Sequence, residues 1–410
     1  MPAIQTITVT DEVTAELRAY ASAMRTGFLD GPLTDEAFRI WHDFIRADRV
    51  RLSVIHDDEP RRFGLSDQPV ATFCSWAGTL NGGLAMLATD LISDVTVQAS
   101  HNRRGLMNQL MRADLRAARD RGDVFATLIA SDARLYGRFG FGLATQVRKL
   151  VMDTRGGFPF RSSARGRTVF AEAAEVDDLR RELFGRFHAD QFLSLSRPSY
   201  YWESGYDWEA AEARDERAAV HLGDDGNPDG VAVFRIVPDE IRLVDVVALS
   251  AAAEIELIRL IGQMEGRDRL IWGPCFNPSH PLPWALENPR AVRTEGVWDG
   301  IWLRILDVTR ALEGRSWDTD GELTLAVTDP LEWCAGTYQI TVTAGRASVS
   351  RTDAEPGITC GIGELAPLYS GLQSPSRLAQ AGLVDGVPTA LAQADRLFAK
   401  LGPAIAASLF

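Results

Sequence analysis

The stretch that says most about chemistry is Val95-Thr96-Val97-Gln98-Ala99-Ser100-His101-Asn102-Arg103-Arg104-Gly105-Leu106-Met107. An apolar segment runs into a short polar turn, then Arg-Arg-Gly, then directly into residues patterned as a helix. The first N–H groups of a helix lack internal partners, and the helix dipole adds partial positive charge there. A diphosphate satisfies both. Gly105 permits close backbone approach, while Arg103 and Arg104 add fixed positive charge. Val95 and Val97 offer backbone groups to an extended, amide-rich ligand arm, as an added strand would. Arg-Arg-Gly alone reads as an ordinary βα turn with two solvated arginines. Strand, turn, Arg-Arg-Gly and long helix together read as a phosphate site.

This arrangement resembles the pyrophosphate loop of the GNAT superfamily of acetyltransferases: Gln or Arg, two residues, Gly, one residue, then Gly or Ala. Asn102 stands where Gln or Arg is usual, and Met107 where the second small residue is usual. Arg103 and Arg104 are the residues that compensate for Asn102. Downstream, the run from Ala130 to Gly142 carries Tyr136 just past an apolar segment. Acetyl transfer to an amine leaves a thiolate, which a nearby phenol can protonate. Tyr136 resembles the tyrosine of the YxxxGF feature of GNAT enzymes and is read as that acid. For an isolated tyrosine, a core aromatic cluster would be the alternative.

The elements that must position these residues follow from periodicity. Residues 71–87 predict two strands around a turn at Asn81, Gly82 and Gly83, and residues 91–100 predict another strand. In 105–122, Leu106, Leu110, Met111, Leu115 and Ala118 recur at helical spacing, with Gly122 as the stop. Residues 124–131 predict a short buried strand, completing a βαβ unit that places ligands at the strand C-termini. Residues 153–167 look like a linker. Strands are then predicted at 230–237 and 240–249, a helix at 250–263 and a strand at 269–274, an echo of the first region. The turn into that second helix, Ser-Ala-Ala-Ala-Glu, has neither glycine nor basic residue, so no cofactor is expected there. From 301 onward, strands are predicted at 301–308, 321–329, 337–345 and 346–352, the last three as a meander. Helical stretches follow near 364–372 and 388–400, and the chain closes on the apolar run AIAASLF.

The string LYGRFGFGLAT (135–145) narrows the resemblance to Eis-type (enhanced intracellular survival) acetyltransferases, with HPLPWAL (280–286) and VWDGIWLRILDVTRALEGR (297–315) in support. The resemblance covers essentially the whole chain. It implies an α+β (α/β) fold: a catalytic GNAT domain at 1–155, a degenerate GNAT-like domain at 156–300, and a sterol-carrier-protein-like domain at 301–410. It further implies that Val95, Thr96, Val97, the run from Arg103 and Arg104 through Gly105, Leu106 and Met107 to Asn108, and Ser131 with Asp132 contact acetyl-CoA. Tyr136 would be the general acid and the carboxylate of Phe410 the general base. An α-carboxyl tethered by an apolar run would be partly desolvated and so more basic, although a tail that merely packs on the core fits the residues equally. Phe28, Asp30 and Trp41 are the substrate-pocket candidates, with Asp35 and Glu36 as alternatives. Family members acetylate amines broadly, aminoglycosides included, and form hexamers, so a homohexamer is expected. An acidic pocket is the expected host for polycations.

Composition sets the remaining bounds. The chain has 410 residues, 46% of them hydrophobic and 24% charged, which suits two or three soluble domains. A formal net charge of −13 repels phosphate backbones and argues against nucleic acid. No run approaches the ~18–20 apolar residues of a membrane helix, so no membrane is expected. The start, MPAIQTITVTDE, does not read as a signal peptide. Four scattered cysteines (Cys74, Cys275, Cys334 and Cys360) fit a reduced cytoplasm, without disulfides or a metal. G-x-S-x-G and HExxH are both missing, which leaves hydrolases without support. The chief rival is a GNAT-like binding module with a lipid- or drug-holding tunnel. A double-GNAT aminoacyl- or peptidyl-transferase is the third reading.

Overall fold

Side-chain oxygens start the first two helices. Thr14 accepts from Leu17 N and Thr34 from Ala37 N, each satisfying an N–H that the helix itself cannot. The computed structural model describes residues 2–57, 68–204 and 216–410. The first stretch runs β1 (Ile4–Ile7), α1 (Ala15–Phe28), α2 (Asp35–Ala47), β2 (Arg51–Ile55), β3 (Ala71–Asn81) and β4 (Met86–Val97). It continues with α3 (Leu106–Arg121), β5 (Phe125–Leu128), α4 (Ala133–Tyr136) and β6 (Gly142–Leu143). Next come β7 (Gln146–Asp153), β8 (Arg167–Glu172), α5 (Asp177–Asp190), α6 (Tyr201–Ser204), β9 (Glu216–Leu222) and β10 (Pro228–Ile236). They are followed by β11 (Ile241–Ala248), α7 (Ala251–Gly262), β12 (Arg269–Cys275), α8 (Leu282–Ala285) and β13 (Val292–Asp299). The last part holds β14 (Trp302–Ile305), α9 (Val308–Gly314), β15 (Gly321–Thr328), β16 (Gly336–Thr343) and β17 (Arg346–Arg351). It ends with β18 (Ile358–Gly361), α10 (Ile362–Ser370), α11 (Pro375–Gln380), β19 (Val384–Gly386) and α12 (Pro388–Phe398).

Three mixed sheets result. The first has the order β1-β2-β3-β4-β5-β14-β6, the second β13-β7-β12-β11-β10-β9-β8, and the third β17-β16-β15-β18-β19. Two strands sit away from their neighbours in sequence. β14, expected with the third region, pairs antiparallel with β5 and β6 and so belongs to the first sheet. β7, expected with the first, pairs with β12 and β13 in the second. The cause is one antiparallel ribbon: 142–153 and 292–305 run side by side through both sheets, joined at their middle by Gly300 N to Thr145 O (2.8 Å). The meander β15-β16-β17 forms as the periodicity predicts, and β18 adds parallel to β15.

In the first sheet, the strands predicted at 84–87 and 91–100 are one long strand, β4, with an irregularity inside it. Thr72 pairs with Thr96 and Cys74 with Ser93, so Asp94 and Val95 together face the single residue Phe73. This is a β-bulge, and Asp94 takes a φ of +53°, a left-handed conformation uncommon for a residue other than glycine. The helices α1 and α2 cover one face, where Tyr20, Trp41, Phe44, Cys74 and Trp76 share a core. On the other face lies α3, whose buried stripe is Leu106, Leu110, Met111, Leu115 and Ala118.

The tail returns to the first sheet after α12. Ala406 O accepts from Leu195 N (3.0 Å), and Ile405 N donates to Phe192 O (3.3 Å), so residues 405–406 line up on the 192–195 segment. Arg197, itself in a bidentate pair with Asp245 (2.8 and 2.9 Å), also donates to Ala407 O. Residues 406–409 are buried, and the Phe410 ring meets Trp76 edge-on with centroids 5.3 Å apart.

Candidate active site

The cofactor loop is built from two left-handed residues. Arg103 has φ +65° and Gly105 φ +81°, and between them they turn the chain from the end of β4 into α3. Gly105 is the N-cap of α3, and no side chain accepts from the first N–H groups. A Cβ added at Gly105 would meet nothing within 4 Å. Glycine is therefore required here by φ, and the space in front of the uncapped helix start is open. Arg103, Arg104, Gly105 and Asn108 are exposed around it, while Leu106 is buried and Met107 half-buried, both with the α3 core. A diphosphate fits these features: orphan N–H groups, a positive helix end and two arginines. Beneath the loop, His101 Nε2 bonds Asp57 Oδ2 (2.8 Å) and His101 Nδ1 bonds Ser100 Oγ (2.9 Å), a brace that the sequence did not suggest.

The amide arm also has a place. β4 and β5 pair in parallel from Thr89–Phe125 to Ile92–Leu128, where β5 ends. β4 continues to Val97 while still bonded to β3, so among the described residues no strand pairs its other edge over Ser93–Val97. Val95, Thr96 and Val97 lie on that edge, ready to exchange main-chain hydrogen bonds with an extended ligand. Tyr136 closes the far side. It is 3% exposed, packs in the same cluster as Leu106 and Leu128, and meets Phe141 edge-on at 6.1 Å. Burial raises its pKa, opposed by a hydrogen bond with the Ser131 side chain, so the phenol keeps its proton at neutral pH. Asp132 caps α4 by accepting from Arg134 N (3.0 Å), and Arg134 pairs with its carboxylate (2.7 Å). Those bonds hold Asp132 down at about 2, so it stays ionised. Loop, free strand edge and Tyr136, with Ser131 and Asp132 beside it, are thus brought together.

The substrate-pocket candidates separate. Phe28 ends α1, whose Gly27 lies directly on β4: a Cβ there would come within 2.3 Å of Thr96 Cβ. Phe28 is thereby placed beside the end of the free edge, and it is exposed. Trp41 is 4% exposed and stacks on Tyr20 at 5.8 Å, in the core under the bulge. Asp30 instead lies on an exposed groove lined by Arg18 and Arg25, its carboxylate 3.5 Å from Arg25. Two arginines make that groove a poor host for a cation. Of the alternatives, Glu36 pairs with Arg39 on the exposed side of α2, and Asp35 sits in the first turn of the same helix.

Sequence reasoning missed the carboxylate nearest the free edge. Asp94, at the bulge, accepts from Tyr20 Oη (3.3 Å) and faces Cys74 and Trp41. Burial pushes its carboxyl up to about 6, against the pull of the Cys74, Tyr20 and Trp41 side chains. The one available signal was an aspartate inside the otherwise apolar LISDVTV.

The second sheet repeats the geometry without the chemistry. β11 and β12 pair in parallel and part, as β4 and β5 do. The helix that follows β11, α7, starts with Ser250 accepting from Ala253 N (3.2 Å) and carries Glu254 in its first turn. One orphan N–H is already used, and a fixed negative charge sits where a phosphate would bind.

Comparison with known proteins finds matches in three consecutive parts of the chain. A model described as an acetyltransferase (GNAT) domain matches residues 14–144, and a second so described matches 193–305. A sterol carrier protein domain matches 308–406. An uncharacterised N-acetyltransferase of Streptomyces avermitilis is 34% identical over 393 residues, covering 90% of each chain. The N-acetyltransferase Eis of Mycobacterium tuberculosis is 31% identical over 312 residues, covering 73% of this chain and 75% of its own. Eis1 of Mycobacterium abscessus shares the fold over 100% of both chains, with a TM-score of 0.83 at 24% identity. With tandem GNAT domains and a sterol-carrier-type end, this chain belongs to the Eis family of acetyl-CoA-dependent N-acetyltransferases.

Proposed function

We propose that the protein moves the acetyl group of acetyl-CoA onto primary amines of polycationic small molecules, aminoglycosides among them, with lysine side chains as a further acceptor class. The reaction is direct attack in a ternary complex. Arg103, Arg104 and the N–H groups of Gly105, Leu106, Met107 and Asn108 hold the diphosphate. Val95 to Val97 hold the amide arm, with Ser131 and Asp132 flanking it. Bound there, acetyl-CoA supplies a thioester carbonyl to the attacking nitrogen. Tyr136 donates its proton to the departing sulfur, and the Phe410 carboxylate takes a proton from the amine. Phe28 and Trp41 line the acceptor's path, and Asp30 stands further out on the rim.

The observation that carries this reading is the coincidence, in one sheet, of an uncapped helix start, an unpaired strand edge and a buried protonated phenol. The first region performs the chemistry. The second completes the cleft and binds no cofactor, and the third presents the tail. A homohexamer is carried over from the family resemblance and a cytoplasmic location from the scattered cysteines, and sedimentation velocity tests the assembly. The function itself is tested by thiol release from acetyl-CoA against a panel of amines, with wild type, Tyr136→Phe and a chain lacking Phe410. Strong activity in the wild type and large losses in both variants, with folding intact, are expected. Full activity in the shortened chain would refute the carboxylate base.

A further inference from the structure

Asp94 is a carboxylate with no cation. It sits at the bulge of β4, one residue before Val95, where the strand edge is free for the acetyl donor. Its own backbone is fixed, since Thr72 Oγ1 donates to Asp94 O at 2.8 Å. The side chain points to the α1–α2 face. There it meets Tyr20 from α1 (Oη to Oδ2, 3.3 Å), Trp41 from α2 and Cys74 from β3. Tyr200 and Asp48 lie further out, and Trp76, two residues beyond Cys74 on β3, carries Phe410 on the same face. Among the described residues no lysine or arginine pairs with Asp94.

A carboxylate drawn away from solvent is ordinarily paired with a cation, because desolvation without one is expensive. Asp94 is half-buried and is met by a phenol, an indole and a thiol instead. Trp41 Nε1 makes no well-formed hydrogen bond, and the Asp94 carboxylate is the acceptor it faces. The left-handed backbone of Asp94, a non-glycine residue, adds a further cost. Tyr20, Trp41, Phe44, Trp76 and Tyr200 share one aromatic cluster, and the Asp94 carboxylate beside it accepts from Tyr20 but faces no cation, surroundings suited to an ammonium group.

We propose that Asp94 docks the acceptor's ammonium group beside the thioester and takes its first proton. The inference rests on the acetyl-transfer reading above. An N–H bond of the ammonium breaks and its proton goes to Asp94. The freed lone pair attacks the thioester carbon, and the C–S bond breaks. A second proton leaves the nitrogen for the Phe410 carboxylate. Two protons are lost in all: one ends on the thiol by way of Tyr136, and one goes to solvent. Asp94 therefore has to be ionised in the free enzyme, so kcat/KM falls on the acid side as Asp94 protonates. The groups that set that limb are Tyr20, Trp41 and Cys74, with Tyr200 and Asp48 as more distant influences.

The test measures thiol release from acetyl-CoA with kanamycin A and 1,4-diaminobutane as acceptors, across pH 4.5 to 9 (about two units either side of neutrality). Calorimetric titration of acetyl-CoA runs in parallel. Asp94→Asn should bind acetyl-CoA as the wild type does, lose about 100-fold in kcat/KM and lose the acid limb. Asp94→Glu should recover part of the rate together with the limb. Tyr20→Phe removes a hydrogen bond that favours the charged carboxylate, so its acid limb should move to higher pH; this variant keeps the charge and guards against a folding defect in Asp94→Asn. Wild-type kcat/KM and an unchanged acid limb in Asp94→Asn, or an unmoved limb in Tyr20→Phe, would overturn the assignment while leaving acetyl transfer intact. A wild type that neither binds acetyl-CoA nor turns over any amine would instead sink the underlying reading, and this one with it.

Discussion

Tyr136 is buried and Asp94 half-buried, and desolvation acts on both in the same direction with different consequences. In Tyr136 it keeps a proton where a leaving thiolate needs one. Tyr136→Phe removes that proton and nothing else of size, so kcat should fall about 10²- to 10³-fold with acetyl-CoA affinity unchanged, by steady-state kinetics and calorimetry. In Asp94 burial opposes the charged form, so the site costs the fold stability. The folded value of about 6 exceeds the ordinary 3.8, so the penalty is absent below about pH 4 and complete above pH 6. Asp94→Asn should therefore raise stability by about 3 kcal/mol at pH 8 and by almost nothing at pH 4, in urea unfolding. A variant that is more stable and less active marks a functional carboxylate; one that is less stable at pH 8 marks a structural one.

The elements around the site were largely legible, and the exceptions have causes. The α3 helix was predicted at 105–122 and forms at Leu106–Arg121, because its five buried positions repeat cleanly and a glycine stands at each end. β4 was read as two pieces because Ala88-Thr89-Asp90 interrupts the apolar pattern, and the bulge at Asp94 was missed because it is invisible to a period-two reading. Asp94 was not singled out, because local pattern could not place it against Tyr20, 74 positions away. The two ends of α3 allow a controlled test of its role. Gly105 and Gly122 both have left-handed φ, +81° and +85°. Alanine at either should cost about 1 kcal/mol in thermal unfolding. Only Gly105→Ala, which disturbs the open N-terminus, should weaken acetyl-CoA binding, by about tenfold; equal affinities in the two variants would remove α3 from the cofactor site.

At the scale of the whole molecule the site depends on segments far apart in sequence. The ribbon of 142–153 with 292–305 ties the first two sheets together, and this pairing was not legible because strand partners are set by tertiary contact. The third region anchors the start of the tail through Arg315, fully buried and in no ion pair among the described residues. It donates to Tyr369 O (2.8 Å) and Phe398 O (2.7 Å), at the end of α12 where the tail begins, and lies over Trp317. Arg315→Met should leave those carbonyls unsatisfied and cost about 3 kcal/mol in denaturant unfolding. It should also lower kcat through a loosened tail while acetyl-CoA still binds. The second region supplies a parallel strand pair that parts in the same way, yet its helix start is capped by Ser250 and guarded by Glu254. The most direct measurement of the account is calorimetric titration of acetyl-CoA into the wild-type protein and into Arg103→Ala/Arg104→Ala. Binding at one site per chain, weakened at least tenfold in the double variant, is predicted. No binding, two sites per chain, or equal affinity in both proteins would contradict it.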